Sequence, residues 1–363
     1  MNFDLSETQE LFRDTTERFA RNVDVAEREK IRLLEGSYDK ARWSELSELG
    51  LLSIAITEDQ GGLGGTIGDL SIIAESFGKE NGLDPWIENG ALPSLLLSKA
   101  NKTDILDSIV EGSKVAALAF SEPSSRYDIE PHDTRAVNSD DSNGYVINGQ
   151  KEFILGGAIA DYILVTAKHD DEFGLFCLTA NDPNIMTKTY RLADGSQATT
   201  IKLNQVHVEE NAKLDLTFNQ FKTILDRTSL LACAEMVGLS QLLLNETLAY
   251  VKERKQFGVA IGSFQIIQHG LVDCYSQLEL MRSLLYRAIL VADDGSEDLH
   301  TTVMGTKFFI SDGADFIARQ AVQYHGAMGI TDELLVGHAF KRIILLSRLF
   351  GDSTHNLKEY AAA

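Results

Sequence analysis

Between Val115 and Val208 the chain abandons helical periodicity for a series of short β-rich runs, and no other feature narrows the possible folds as much. The runs read "KVAALAFSE", "YVINGQKEFIL", "DYILVTAK", "FGLFCLTA" and "TTIKLNQVHV", with turn signals such as "DSNG" and "ANDPN" between them. Short strands separated by turn residues predict an antiparallel sheet or barrel. Both flanks read as helix. In the first, Ser6 and Gln9 form a capping box ahead of Leu11, Phe12, Thr15 and Phe19 at helical spacing. A second stripe, Trp43, Leu46 and Leu49, stops at Gly50, and the helical period resumes after Leu70. Beyond Leu214 long helical patterns return, broken by "GVAIGS" (258–263), "DDGSED" (293–298) and "HGAMGI" (325–330), as in a bundle of roughly four or five helices. The expected fold class is α+β: an N-terminal α-helical domain over 1–115, a middle antiparallel β-domain over 116–213, and a C-terminal helical bundle over 214–363 that carries the main subunit interface.

A chain of 363 residues exceeds one comfortable hydrophobic core, in keeping with that division. With 44% hydrophobic and 24% charged residues it reads as folded throughout, and only 5 prolines argue against long linkers. The net charge of −21 disfavours nucleic acid and anionic membrane surfaces as partners, so an anionic ligand needs a local basic patch. The acidic runs Asp140-Asp141 and Asp170-Asp171-Glu172 read as solvated loops rather than metal sites. Cys177, Cys233 and Cys274 are odd in number, far apart and set in apolar contexts, which suits reduced thiols. The opening "MNFDLSETQE" has no apolar signal core, and no apolar run is read as approaching membrane-spanning length, so the expected location is the cytoplasm.

Generic catalytic signatures are absent: the sequence has no P-loop, no HExxH, no GxSxG and no CxxC, and its histidines have no metal-like spacing. The "GGLGG" loop lacks the strand–turn–helix setting and the glycine spacing of a dinucleotide fingerprint, and reads as a flexible interhelical loop. What carries information is an ordered constellation: "GLLSIAITEDQGGLGG" (50–65), "FSEPSSRYD" (120–128), "INGQKEFILGGAIADYILVTAK" (147–168), "ERKQFGVAIGSFQIIQH" (253–269) and "QAVQYHGAMGITDE" (320–333). With these motifs in this order the chain resembles the acyl-CoA dehydrogenase family over essentially its whole length. It looks most like the small, partner subunits of heteromeric members, such as pimeloyl-CoA dehydrogenase small subunits and the partner chains of steroid side-chain acyl-CoA dehydrogenases, which share its "SRYD", "RKQFG" and "LFGD" wording.

The resemblance implies FAD as cofactor, an acyl-CoA substrate, electron-transfer flavoprotein as electron acceptor, and assembly with a paralogous large subunit in a heterotetramer or with itself in a homo-oligomer. It implies a reaction in which a carboxylate removes the α-proton of an acyl thioester while a β-hydride passes to the flavin. By the same resemblance Arg254, Phe257, Gly258, Gln265 and Gln323 hold the ADP half of FAD across a subunit interface, an arginine fork suiting the pyrophosphate, and Gly326 is a further cofactor-binding position. Ser121 and Phe153 take the places of the family's threonine and tryptophan beside the flavin ring, whereas Leu155 replaces a hydroxyl residue and Tyr127 a small one. Ungapped matching puts Phe350 on the usual glutamate base, and the alternative base position falls on Thr228, followed by Ser229 where relatives carry an arginine. Glu235 and Asp352 remain as weak candidates. Glu235 lies two helical turns beyond Thr228, and reads equally as a base or as a polar contact to a neighbouring helix. Three assignments follow: a base-deficient small subunit serving a flavin whose reactive ring sits in a partner chain, a self-sufficient homo-oligomeric dehydrogenase using Glu235 or Asp352, or a flavin-free scaffold.

Overall fold

The computed structural model of the protein describes residues 4–21, 23–139 and 143–362. Helices α1 (Glu7–Arg21), α2 (Val25–Leu33), α3 (Lys40–Glu48), α4 (Ile67–Lys79), α5 (Leu92–Lys99) and α6 (Thr103–Val110) come first. Strands β1 (Ala116–Ala119), β2 (Arg135–Asn138), β3 (Gly144–Leu155), β4 (Tyr162–His169), β5 (Glu172–Thr179), β6 (Ile185–Arg191), β7 (Gln197–Glu209) and β8 (Lys213–Leu214) follow. Helix α7 (Phe218–Glu253), a small hairpin of β9 (Lys255–Gln256) and β10 (Val259–Ala260), and helices α8 (Gln265–Asp294), α9 (Leu299–His325), α10 (Leu335–Leu346) and α11 (Ser353–Ala362) complete the order. Local signals set the helix ends. Ser6 N–H donates to Gln9 Oε1 at 3.1 Å while Gln9 N–H donates to Ser6 Oγ at 3.2 Å, the reciprocal box expected from sequence. Helix α4 starts at Ile67, about a turn ahead of the expected point, because Thr66 and Asp69 close a second such box. Gly295, at φ +67°, ends α8 in the left-handed conformation that glycine tolerates.

Contacts divide the chain into two compact units, one of Lys30–Gly65 with Asp84–Thr228, the other of the chain up to Glu29, Thr66–Leu83 and the chain from Ser229 onward. The first is built on a sheet in the order β6-β7-β3-β2-β4-β5-β8, with β1 also beside β4. Its core is one face of alternating apolar residues, among them Ile147, Ile163, Val165, Phe176, Ile201 and Val206. The pairing is antiparallel except in two places. Strand β1 runs parallel to the first half of β4, from Ala116 opposite Tyr162 to Ala119 opposite Val165, and β2 runs parallel to its end, from Arg135 opposite Lys168. The two therefore lie end to end along one edge of β4, and residues 120–134 leave the sheet between them. Neither β2 nor β6 was among the expected runs. β6 is exposed at every position after Ile185 and is recruited by its ladder to β7, which no local alternation announces.

The glycine-rich 61–65 stretch is tied down rather than loose. Leu63, Gly64 and Gly65 donate backbone hydrogen bonds to Ser53, Ile56 and Ile54 at 3.1, 2.8 and 2.8 Å. A Cβ on Gly62 would come within 2.2 Å of the Ile56 carbonyl, so the close approach demands glycine. Asp170 and Asp171 form the exposed β4–β5 turn with φ of +52° and +62°, and Asp171 meets Arg135 at 3.3 Å. Asp140-Asp141 lies outside the described residues. All three thiols are shielded, and burial pushes Cys177 and Cys233 up to about 12 and Cys274 up to about 11, which removes them as nucleophiles.

The second unit packs α1 and α4 with the C-terminal helices. Phe19 meets Phe77 edge-on at 6.2 Å, and Gln9 of α1 donates to Asp69 of α4 at 2.9 Å. Asp293, near the end of α8, accepts from the Ile67 and Gly68 amides at 2.8 and 3.1 Å, so a carboxylate from another helix satisfies the N-terminal donors of α4. Helices α4 and α7 cross in backbone contact through two glycines: a Cβ on Gly78 would lie 2.2 Å from the Glu235 carbonyl, and one on Gly238 would lie 2.1 Å from the Glu75 carbonyl. Contrary to expectation, α7 is long and apolar enough to span a membrane, with a window of mean hydropathy 1.2; 83% of that window is buried inside the protein, so the apolar run serves the core. The glycine crossing gives a direct test. Gly238→Ala is expected to cost about 1–3 kcal/mol or more, as overpacking does where only backbone can give way, read as a lowered urea midpoint.

Candidate functional site

Two of the expected ring-side residues sit on adjoining backbone. Between Lys151, opposite Ile201, and Ile154, opposite Thr199, β3 carries one residue more than β7, a β-bulge. Within it Phe153 takes φ +56°, unusual for an aromatic residue, and its ring stands 39% exposed out of the sheet. The bulge frees the Glu152 amide, which donates to the Ser121 carbonyl at 2.9 Å. Ser121 is half-buried, and its hydroxyl is engaged by no described residue. Leu155 is buried at the end of β3, and Tyr127 is half-buried in the 120–134 loop.

That loop is anchored by a fully buried ion pair. Lys151 Nζ donates to Glu122 Oε1 at 2.8 Å, to Thr166 Oγ1 at 3.0 Å and to the Phe120 carbonyl at 3.1 Å. Glu122 in turn accepts from the backbone amides of His132, Asp133 and Thr134 at 2.9, 2.8 and 3.0 Å. Both side chains are 0% exposed. Thr166 lies on β4 between the last residue paired with β1 and the first paired with β2, so the ammonium fills the gap where the loop leaves the sheet. Burial alone would raise the Glu122 carboxyl, but the hydrogen bond from Lys151, the loop amides and the lysine charge hold it down at about 2. Burial pushes the Lys151 ammonium down to about 8, with Glu122 opposing the fall.

The expected nucleotide-end residues belong to the helical unit and are exposed. Arg254 follows α7, with its backbone N–H on the Tyr250 carbonyl at 2.8 Å and its carbonyl accepting from Ile261 at 2.8 Å. The β9–β10 hairpin turns through Phe257 and Gly258 at φ +53° and +82°, and Phe257 stands 92% exposed at its tip. Gln265 opens α8, and Gln323 lies in the last turn of α9. Gly326 follows at φ +63°, a conformation that suits glycine, and a Cβ there would meet no atom within 4 Å. Tyr250 stacks on His325 with centroids 4.3 Å apart, and Gly270 of α8 abuts the Tyr324 hydroxyl, so these motifs share one end of the unit. In a chain with 54 acidic residues, the Arg254 guanidinium has no carboxylate partner among the described residues.

The position that the resemblance matches to the family's glutamate base is apolar. Phe350 is half-buried at φ +60°, followed by Gly351 at φ +110°. Asp352 caps α11, its Oδ1 accepting from the His355 amide at 2.8 Å. Glu235 is bound by both arms of Arg342 of α10, Nε at 2.7 Å and Nη2 at 3.0 Å. Thr228 is buried with its hydroxyl on the Ile224 carbonyl at 2.8 Å, and Ser229 is buried beside it. Lys307, fully buried on α9, donates to the Leu346 carbonyl at 2.7 Å and so ties down the end of α10, from which the Phe350 segment departs.

Comparison with known proteins follows the same order along the chain. The N-terminal, middle and C-terminal domain models of acyl-CoA dehydrogenase match residues 6–95, 117–207 and 218–362. A Bacillus subtilis (strain 168) protein named "Probable acyl-CoA dehydrogenase YngJ" is 29% identical over 100% of this chain and 99% of its own. Among solved structures, a variant of the Tcur3481-Tcur3483 steroid ACAD superposes with TM-score 0.87 at 26% identity, covering 98% of this chain and 96% of that one. Butyryl-CoA dehydrogenase from Megasphaera elsdenii superposes with TM-score 0.87 at 25% identity, covering 100% and 99%. Fold and motifs thus define a flavin-dependent dehydrogenase of helical, β-sheet and helical domains. The chain belongs to the acyl-CoA dehydrogenase family, and FAD is its cofactor. The residues present fit that group: a guanidinium with no carboxylate partner for phosphate, an unengaged hydroxyl at Ser121, and an aromatic ring lifted clear of the sheet at Phe153.

Reading the sequence residue by residue passed over Glu122, Lys151, Lys307 and Arg342. Two of them stand inside quoted motifs, and one signal was available: Lys151 lies four residues from Ile147 on the same face of an alternating strand, a core position for which a lysine needs a buried partner. The Glu122 carboxyl, held near 2 against an ordinary 4.5, contributes stability that is complete above about pH 4.5 and is lost as pH falls toward 2. Glu122→Gln is therefore expected to lower stability at neutral pH and to flatten the acid limb in that window, measured by urea unfolding across pH.

Proposed function

We propose that this chain is a base-deficient small subunit of a heteromeric acyl-CoA dehydrogenase, sharing FAD with a catalytic partner chain. The observation that carries the reading is the occupation of its carboxylates. The family base position holds Phe350, Asp352 is committed to capping α11, and Glu235 is held in a two-pronged ion pair by Arg342. A general base needs a free lone pair within reach of the proton and a pKa matched to the task. A carboxylate bound by both arms of a guanidinium has its oxygens taken. Arg254 and the exposed Gln265 and Gln323 meanwhile remain available to a dinucleotide. The Tcur3481-Tcur3483 steroid ACAD, whose name joins two chains, lends support from a structure 26% identical.

In such an enzyme FAD supplies the hydride acceptor for the β-carbon of the acyl thioester. This chain's own residues then have simpler duties. Arg254 would neutralise the pyrophosphate of the flavin whose ring the partner holds, Gln265 and Gln323 would hydrogen-bond its polar edge, and Ser121 would offer its hydroxyl to the ring side of a flavin seated in this chain. The α-proton leaves to a carboxylate of the partner chain.

Two measurements test this. Arg254→Ala is expected to weaken FAD retention by the assembled oligomer by about 1.5–3 kcal/mol per charged hydrogen bond lost, read as flavin per protein after gel filtration; unchanged retention would detach Arg254 from the cofactor. Glu235→Gln and Asp352→Asn, made singly, are expected to keep turnover per bound flavin within about tenfold of wild type, since a positioned general base contributes about 10²–10⁴-fold. A loss above about a hundredfold in Glu235→Gln, with flavin content intact, would make Glu235 the base and end the base-deficient reading.

A further inference from the structure

Strand β1 ends at Ala119 and β2 begins at Arg135, both beside β4, and the sheet has a gap between them. The chain fills it with charge. Lys151 Nζ reaches Phe120, Glu122 and Thr166, and Glu122 gathers three amides from His132, Asp133 and Thr134. The bonds of the pair are directed at backbone and side chains flanking the gap. A buried ion pair is a weak source of net stability, and an apolar pair of the same volume often serves a core as well or better. What the pair does supply is direction: a fixed set of charged hydrogen bonds admits one arrangement of the loop against the strand.

That arrangement bears on two residues. Ser121 lies between Phe120 and Glu122, both of which Lys151 binds, and its carbonyl receives the Glu152 amide freed by the bulge. Phe153 is two residues from Lys151 and holds a left-handed backbone conformation, which persists only where its surroundings impose it. The bulge, the loop and the lysine are thus one mechanical piece. We propose that the Lys151–Glu122 pair is a positioning device that fixes Ser121 and Phe153 relative to one another as a preformed platform for the flavin ring. The inference rests on the reading that Ser121 and Phe153 meet that ring. It does not depend on which chain supplies the base.

The test compares Lys151→Met, the double variant Lys151→Met/Glu122→Gln, and two reference variants at the platform, Ser121→Ala and Phe153→Leu. The double variant removes both charges together while the amide oxygen that replaces the Glu122 carboxylate can still accept from the loop, so it keeps the test readable even where the lone carboxylate left by Lys151→Met destabilises the fold. Each protein, in the oligomer in which it is isolated, is stripped of flavin and titrated with FAD by fluorescence. Its flavin absorbance maximum and reduction potential are recorded, and its melting temperature is followed in the flavin-free form. The expected result is a loss of FAD affinity of about tenfold or more in both lysine variants, with the absorbance maximum and potential displaced in the same direction as in Ser121→Ala. If the lysine variants melt earlier but bind FAD with unchanged affinity and potential while Ser121→Ala and Phe153→Leu shift both, the pair is only a structural brace and the proposal is wrong. If none of the four variants alters the flavin, the ring does not sit on this platform, and the placement of Ser121 and Phe153 fails together with the proposal.

Discussion

The sheet of this protein is interrupted where it most needs to be continuous, and a single buried ammonium holds the interruption open in a defined shape. Lys151 stands at a core position of β3, and its ammonium sits beside the stretch of β4 that two collinear strands, β1 and β2, leave between them. Its partners lie on the departing loop, on the loop carboxylate and on β4 itself. Without a charged donor there, the Phe120 carbonyl and the Glu122 carboxylate would be buried with their partner gone, at a cost of several kcal/mol. The bulge at Phe153 adjoins that placement, and the Glu152 amide within it reaches the Ser121 carbonyl.

The helical unit solves a different problem with the opposite means. Its helices approach closely because glycines at 78 and 238 let the backbones of α4 and α7 touch, and its interior carboxylates Glu75 and Glu235 are paired with arginines. Glu75 is bound by Arg282, Glu235 by Arg342, and the α4 amides by Asp293. The exposed end that carries Arg254, Gln265 and Gln323 is left without such pairing in a chain whose net charge is −21. Local electrostatics there run against the bulk, which is what the proposed binding of a pyrophosphate at Arg254 needs. Glu235 and Asp352 are both engaged in structure, one by Arg342 and one as the cap of α11, which is what the proposed base-deficient reading rests on.

Much of this is legible in particular residues of the sequence. Ser6 with Gln9, Gly295 after α8, and the alternation in the β3, β4, β5 and β7 runs are local signals, since a cap or a period-two pattern concerns neighbours in sequence. Strands β2 and β6 were not legible, because a short or exposed strand exists only by virtue of the partner it pairs with. Helix α7 misled in the other direction: a core helix surrounded on all sides and a membrane-spanning one have the same composition, and burial alone separates them.

By itself, then, the sequence determined the succession of helix, sheet and helix, the turn and cap residues that delimit them, and the family motifs that name FAD, because each of these is written in adjacent or regularly spaced side chains. Tertiary structure alone decided what the ionisable residues are for. Glu235 and Arg342 are 107 positions apart, Lys151 and Glu122 are 29 apart, and Lys307 meets a carbonyl 39 residues away. The meaning of a buried charge lies in the partner that neutralises it, and partners at that separation are brought together only when the chain folds.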